Sequence, residues 1–261
     1  LDSEDVAQLG SAQLAGLTTA TMGALATSQI AVLSSGAIAG FGTSGIGALS
    51  TVQLVALSTV NLKGLSSTQL AALTTTQLRA LETQDVAQLT AAQLAGLDGS
   101  DIAALTSGQW AALSTASLKG LKTDQLQALS TTQVQQLSTS YMAALSSAQL
   151  AGFSTTMLQV LSSAQIGALN SGAVKGISTG AVSVLSTAQI QALNTVNVKG
   201  LSAAQLGVMS TGQLAALDSQ DFLQLSSAQL GGLSTSTVGV LGTAQIAALG
   251  SAAIKGLSTA A

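Results

Sequence analysis

The stretch LSTAQIQALNTVNVKG, residues 185–200, decides how the chain is read. It is two rows of eight with one grammar. Leu185 and Leu193 open the rows, a polar pair follows, Gln189 and Asn197 hold the fifth place, and Ile190 and Val198 hold the sixth. Ser186 three residues before Gln189 is a capping-box signature, a hydroxyl at the helix N-cap and a Gln at N3. Ala, Leu and Gln favour helix from there to the next Leu. Places six and nine, three apart, share a helix face and bury together. The helix cannot run on, because eight residues at about 100° each turn the apolar pattern by about 80° per row. Each octad therefore reads as a helix of roughly one and a half turns followed by a sharp corner. So short a helix is unstable alone and must bury its apolar pair against neighbours, as solenoid units do.

Outward from this stretch the frame never slips. The chain holds 32 complete octads and a five-residue stub, so residues 1–261 read as a single continuous array. Place one is Leu in 29 of 33 rows, the exceptions being Phe41, Phe153, Ile177 and Met209. Place six is apolar in all 32 full rows, place three is Ser or Thr in 30 of 33, and place five is Gln in 16. A longer repeat lies on top: LSTVNLKG at 57–64 returns as LNTVNVKG at 193–200, and LETQDVAQ at 81–88 as LDSQDFLQ at 217–224, a shift of 136 residues or 17 octads.

The expected fold is all-α, a solenoid of very short helices with one per octad. The alternative is a β-solenoid with one octad per side, which Ser and Thr ladders suit. Against it, apolar places one and six show no period-two alternation, and Ala, Gln and Leu are poor strand formers. Glycine at place eight sets the expected coil. Gly16, Gly40, Gly64, Gly96, Gly120, Gly152, Gly176, Gly200, Gly232 and Gly256 recur at steps of three or four octads. About 3.3–3.4 octads per coil puts all ten in one stripe, and 17 octads then make five turns, so a copied block lands in phase. Some ten turns result, a rod on the order of 100 Å at about 8–10 Å per helix layer. Lys63, Lys119, Lys175, Lys199 and Lys255 each precede a stripe glycine. Because Gly permits close approach of another backbone, this stripe is the candidate self-association surface, with Lys setting register. The competing reading makes Gly-Leu a corner needed once per turn and Lys a solubilising charge.

Composition narrows the chemistry. The chain has no His, Cys or Pro, 7% charged residues and a net charge of −3. Without His or Cys the usual zinc, haem and disulfide chemistry and the Ser-His-Asp and Cys-His pairs are excluded. The charge does not suit nucleic acid, and no apolar run reaches the ~18 residues of a membrane span. No signal peptide opens the chain. It begins at Leu1, as expected of a processed product or a segment of something longer. The carboxylate pairs Glu82/Asp85, Asp98/Asp101 and Asp218/Asp221 occupy N-cap and N3 places, where acids bind backbone N–H groups, so they read as caps and not as catalytic pairs, and with the cluster Asp2/Glu4/Asp5 they lie in octads away from the stripe. Asp98-Gly99-Ser100-Asp101 lacks the alternating ligands of a calcium loop. No catalytic residue, cofactor or metal is expected. Trp110, Tyr141, Phe222, Phe41 and Phe153 read as packing variants.

The rows LSTAQIQA, LSTTQVQQ and LTAAQLAG resemble the LTTAQ/LSTAQ octapeptide tracts of large secreted bacterial surface and adhesin-type proteins, over the whole chain. The resemblance implies an extracellular or cell-surface structural role without catalytic residues. The expected function is a structural repeat protein that forms or joins an extracellular filament, sheath or matrix by binding copies of itself or other matrix and surface components. The alternative is an adhesin stalk or an ice- or glycan-binding module.

Overall fold

Residues 2–249 and 254–257 are described by the computed structural model. Thirty α-helices of four to six residues and one 3-10 turn follow one another, and the described residues contain no strand. The fold is all-helical and repeated, with one short element per octad, and the β alternative is not supported.

Each octad folds as its residues dictate. Ser50 is extended (φ −68°, ψ 160°), and its hydroxyl accepts from the N–H of Gln53 at 3.2 Å while Gln53 Oε1 accepts from the N–H of Ser50 at 2.8 Å. Two N–H groups without helical partners are thereby satisfied, and the helix Thr51–Val55 starts. The corner needs no special residue. Place-one leucines such as Leu105 (φ −56°, ψ 134°) swing the chain out of the helix, and no described residue has positive φ.

The chain divides into two compact units, Leu1–Leu129 and Ser130–Ala261. The copies of the 136-residue duplication quoted above fall one in each. In the first unit, Thr51–Val55 packs on Thr75–Ala80, that helix on Gly99–Ala104, and that on Thr123–Gln127, always three octads on. In the second, Ser147–Leu150 packs on Ser171–Val174 and that on the 3-10 turn Val198–Gly200. Places one and six form the core. Leu54, Leu78, Ile102 and Leu126 are fully buried, each worth about 1.5–3 kcal/mol of burial. Each place is covered from a different side. Val6, Leu14 and Ile30 are sealed while the place-one Leu9, Leu17 and Leu25 stay partly exposed. Near the other end Leu241 and Leu249 are buried while the place-six Ile246 is 49% exposed. Place one is thus covered by the preceding layer and place six by the following one.

One element departs from the expectation. Residues 193–200 form a 3-10 turn, Val198–Gly200, in place of an α-helix. Asn194 at the cap accepts from the N–H groups of both Val196 and Asn197, an Asx turn that competes with the helical first turn. The sister row at 57–64 has Ser58 there and makes the helix Thr59–Lys63.

Leu126→Ala is expected to cost about 2–5 kcal/mol, because a sealed site is emptied. Leu223→Ala, at an exposed place seven, should change stability by under about 0.5 kcal/mol. Urea unfolding of both variants measures the contrast.

Candidate functional site

The place-five amide carries more than a cap. While Gln53 Oε1 holds the N–H of Ser50, its Nε2 donates to the carbonyl of Leu25, 28 residues earlier, at 2.8 Å, and to Gly23 O at 3.0 Å. Gln77 reaches Leu49 O at 2.7 Å, Gln93 Leu65 O at 2.9 Å, and Gln125 Leu97 O at 2.7 Å. In the second unit Gln165 reaches Leu137 O at 2.8 Å, Gln189 Leu161 O at 2.9 Å, and Gln213 Leu185 O at 2.8 Å. In each of these the place-one carbonyl, which lies between two helices, is an acceptor. These amides are buried: Gln125 is 0% exposed and Gln213 3%. Within each unit, side chains thus hydrogen-bond these layers to the ones before.

At four places without Gln the bond is kept by other means. Asn61 donates to Leu33 O, Asn197 to Leu169 O at 3.2 Å, and the Ser117 hydroxyl to Leu89 O at 2.6 Å. Ser117 is short and leaves a groove of about 510 Å³ lined by Ala87, Gln88, Leu89, Thr90, Ala91, Ser114, Ala116 and Ser117. Ala173 has no donor, and there the cap residue Asn170 reaches Leu145 O at 2.8 Å and Ala143 O at 2.9 Å. Tyr141 also stands at place five, 1% exposed. Its hydroxyl is the one buried side-chain polar atom without a partner among the described residues, and burial pushes its phenol well above the usual range.

The stripe glycines are spent inside the chain. A Cβ on Gly40 would come within 3 Å of the Ser11 backbone, one on Gly64 of Ser35, and one on Gly120 of Ala91. The same holds for Gly176 over Ser147, Gly200 over Ser171, Gly232 over Ala203 and Gly256 over Ser227, while Gly96 meets Ser67. Gly152 is buried, and Gly16 touches only its own helix at Gln13 O, 3.4 Å away. These glycines stand at the helix ends, where the chain turns its corner, but Gly16 (φ −81°) and Gly64 (φ −78°) are ordinary right-handed residues, so at Gly64 it is space and not torsion that calls for glycine. The residue met is the place-three residue 29 positions earlier, and in all eight contacts it is Ser or Ala, although Thr is commonest at that place. A γ-methyl there would crowd the seam. Reading each place separately misses this; comparing places three and eight across 29 residues finds it. Lys63, Lys119, Lys175, Lys199 and Lys255 are exposed beside the seam.

Two of the three carboxylate pairs cap as expected, and Asp2 caps as well. Asp98 Oδ1 accepts from the N–H of Asp101 at 2.8 Å and from the Ser100 hydroxyl at 2.6 Å, which lowers the Asp98 pKa. Asp218 Oδ1 accepts from the N–H of Asp221 at 2.9 Å, and Asp2 Oδ1 from that of Asp5 at 2.9 Å. Glu82 is the correction. Its longer chain makes no cap and instead takes the Gln84 amide at 2.7 Å. Asp85 accepts from the Thr59 hydroxyl at 2.6 Å. Burial, with the charge of Asp98, raises the Asp101 pKa, and burial, with the charge of Asp218, pushes Asp221 up to about 6. Trp110, Phe41 and Phe222 are buried in the core and Phe153 nearly so. Among the described residues no three acids gather for a metal ion, and no helix is long and apolar enough to cross a membrane.

What these contacts define is a short-helix repeat array whose polar side chains are committed to holding its own layers. The family is shown by comparison: the ALTTAQ repeat model matches at residues 1–35, 46–83, 78–115, 110–139, 142–171, 182–219 and 214–251. The chain belongs to the ALTTAQ repeat family. No curated protein matches it significantly.

Gly176→Ala should destabilise the second unit by about 1–3 kcal/mol or more, since its Cβ would press on the Ser147 backbone. Gly180→Ala, with nothing within 4 Å, should instead gain about 0.5–1 kcal/mol from helix propensity. Thermal melts followed by circular dichroism give both signs.

Proposed function

We propose that this chain is a non-catalytic structural protein of the cell surface or extracellular space that extends by self-association into a filament, sheath or matrix. Each unit is read as a solenoid of about 3.3–3.4 octads per coil. Support for the coil comes from the cross-layer bonds and seam contacts, which return 25 to 31 residues along, between three and four octads.

The observation that carries self-association is the asymmetry of the layer edges. Leu9, Leu17 and Leu25 are partly exposed, and Gln13 at place five is exposed with them. On the opposite kind of edge Ile246 and Ile254 are 49% and 48% exposed. One edge can receive a preceding layer and the other a following layer, and either further octads of the same array or a second copy, head to tail, supplies that kind of contact. The glycines are accounted for by packing within the chain, so association is placed on these edges, with the exposed lysines as charges that set register. Low charge favours assembly further, since copies repel weakly. The adhesin or ice- and glycan-binding alternative draws on the Ser and Thr coat, but the place-two hydroxyls are engaged in caps.

Electron-microscope images and sedimentation at rising concentration should show filaments or end-joined species. Leu17→Glu combined with Ile246→Glu should leave helicity intact and give discrete particles. Discrete particles from the unmodified protein at every concentration would overturn the proposal.

A further inference from the structure

The position that elsewhere holds the cross-layer amide is occupied three times by a buried aspartate. Asp85 is 2% exposed, Asp101 8% and Asp221 2%. A Gln here gives one oxygen to its cap and one N–H to a carbonyl of the preceding layer. An ionised carboxylate matches the first role and opposes the second, because it offers only acceptors. Asp85 has a separate solution in the Thr59 hydroxyl.

Asp221 is bracketed by working examples. Gln213, one octad before, reaches Leu185 O and Val182 O, each at 2.8 Å. Gln229, one octad after, reaches Leu201 O at 2.7 Å and Val198 O at 3.0 Å. The same register sets Asp221 against the carbonyls of Leu193 and Ile190. Asp101 is bracketed likewise: Gln93 reaches Leu65 O and Leu62 O, and Gln109 reaches Leu81 O and Leu78 O, which sets Asp101 against Leu73 and Leu70.

We propose that Asp221, and Asp101 in the same way, is a pH-sensitive latch between layers: protonated, it donates to the place-one carbonyl as Gln does, and ionised, it sets a buried negative charge against carbonyl oxygens and loosens the contact. The surrounding groups support this. Ser219–Phe222 packs on Thr243–Ala248, which has no titratable side chain. The preceding layer brings Thr187–Gln191, with none, and Val198–Gly200, whose Lys199 is exposed. The charge that bears on Asp221 is Asp218, of the same sign. Asp101 faces Asp98 on its own helix, the exposed Arg79 on Thr75–Ala80, and Lys122 and Asp124 at the start of Thr123–Gln127, both exposed.

The sign follows from proton uptake. The folded Asp221 carboxyl, at about 6, holds its proton more tightly than the ordinary value of 3.8. The folded state binds the extra proton between those values, so stability is greatest below about 4, falls as pH rises towards 6, and is flat above.

The test compares melting curves of the full chain and of Asp221→Gln at pH 4 and pH 7.5, with Asp221→Asn as a second variant because Asn61 and Asn197 occupy this place naturally. Asp221→Gln should melt several degrees above the unmodified chain at pH 7.5, with the gap closing at pH 4, and Asp221→Asn should follow in the same direction. Hydrogen exchange near Leu193 should show local opening in the unmodified chain rising by about tenfold or more between those pH values. Equal gaps at both pH values, a lower melting point for both variants at pH 7.5, or a carboxyl carbon of Asp221 titrating near 4 by NMR would each overturn the latch.

Discussion

An amide N–H donated to a carbonyl 28 residues earlier is the bond on which the rest of this structure depends. The place-one carbonyl ends one helix and precedes the cap of the next, so the helical ladder does not use it. Its Leu must be buried to make a core, which carries the carbonyl in as well. A buried acceptor left unpaired costs about 1–3 kcal/mol. Gln meets the need because one side chain accepts at its own cap and donates across the layer. That double duty explains why Gln is the commonest residue at place five, and why Asn170 takes over where Ala173 provides no donor. It also explains why an acid in the same slot ties the contact to proton concentration.

The spacing between layers is set by a second constraint. Where backbones touch most closely, place eight loses its Cβ and place three its γ-methyl, as in Gly176 over Ser147. Both ends of the contact give way together. Neither change involves an unusual torsion, since the described backbone has no positive φ. The chain turns each corner with extended Leu and cap residues, and at the seam glycine serves clearance.

The fold was largely legible from eight residues. Ser or Thr at place two with Gln at place five announced a cap, and apolar places one and six announced one buried face, both of which are local features. The glycine recurrence revealed a return of between three and four octads. What remained hidden was long-range. Nothing in Ser-Thr-x-Gln alone tells that the far side of the amide faces a carbonyl three and a half rows back, or that Gly200 answers to Ser171. The same limit misread Glu82, whose place matched the cap pattern while its extra methylene carried the carboxylate to Gln84. Residues 193–200 depart locally, where Asn194 accepts from both Val196 and Asn197, while Asn170 at the same place accepts from Ala173 and starts a helix.

The constant reach of the cross-layer bond shapes how such a chain is made. A growing end of fewer than about four octads has no carbonyl for its amides to find, and its one-turn helices are too short to persist. Once residue 53 has emerged, its amide closes on Leu25, and every eight residues thereafter can lock on arrival, with nothing awaited from the far terminus. Folding of this kind keeps pace with synthesis, and a length of chain already made holds its structure while the remainder is still being added.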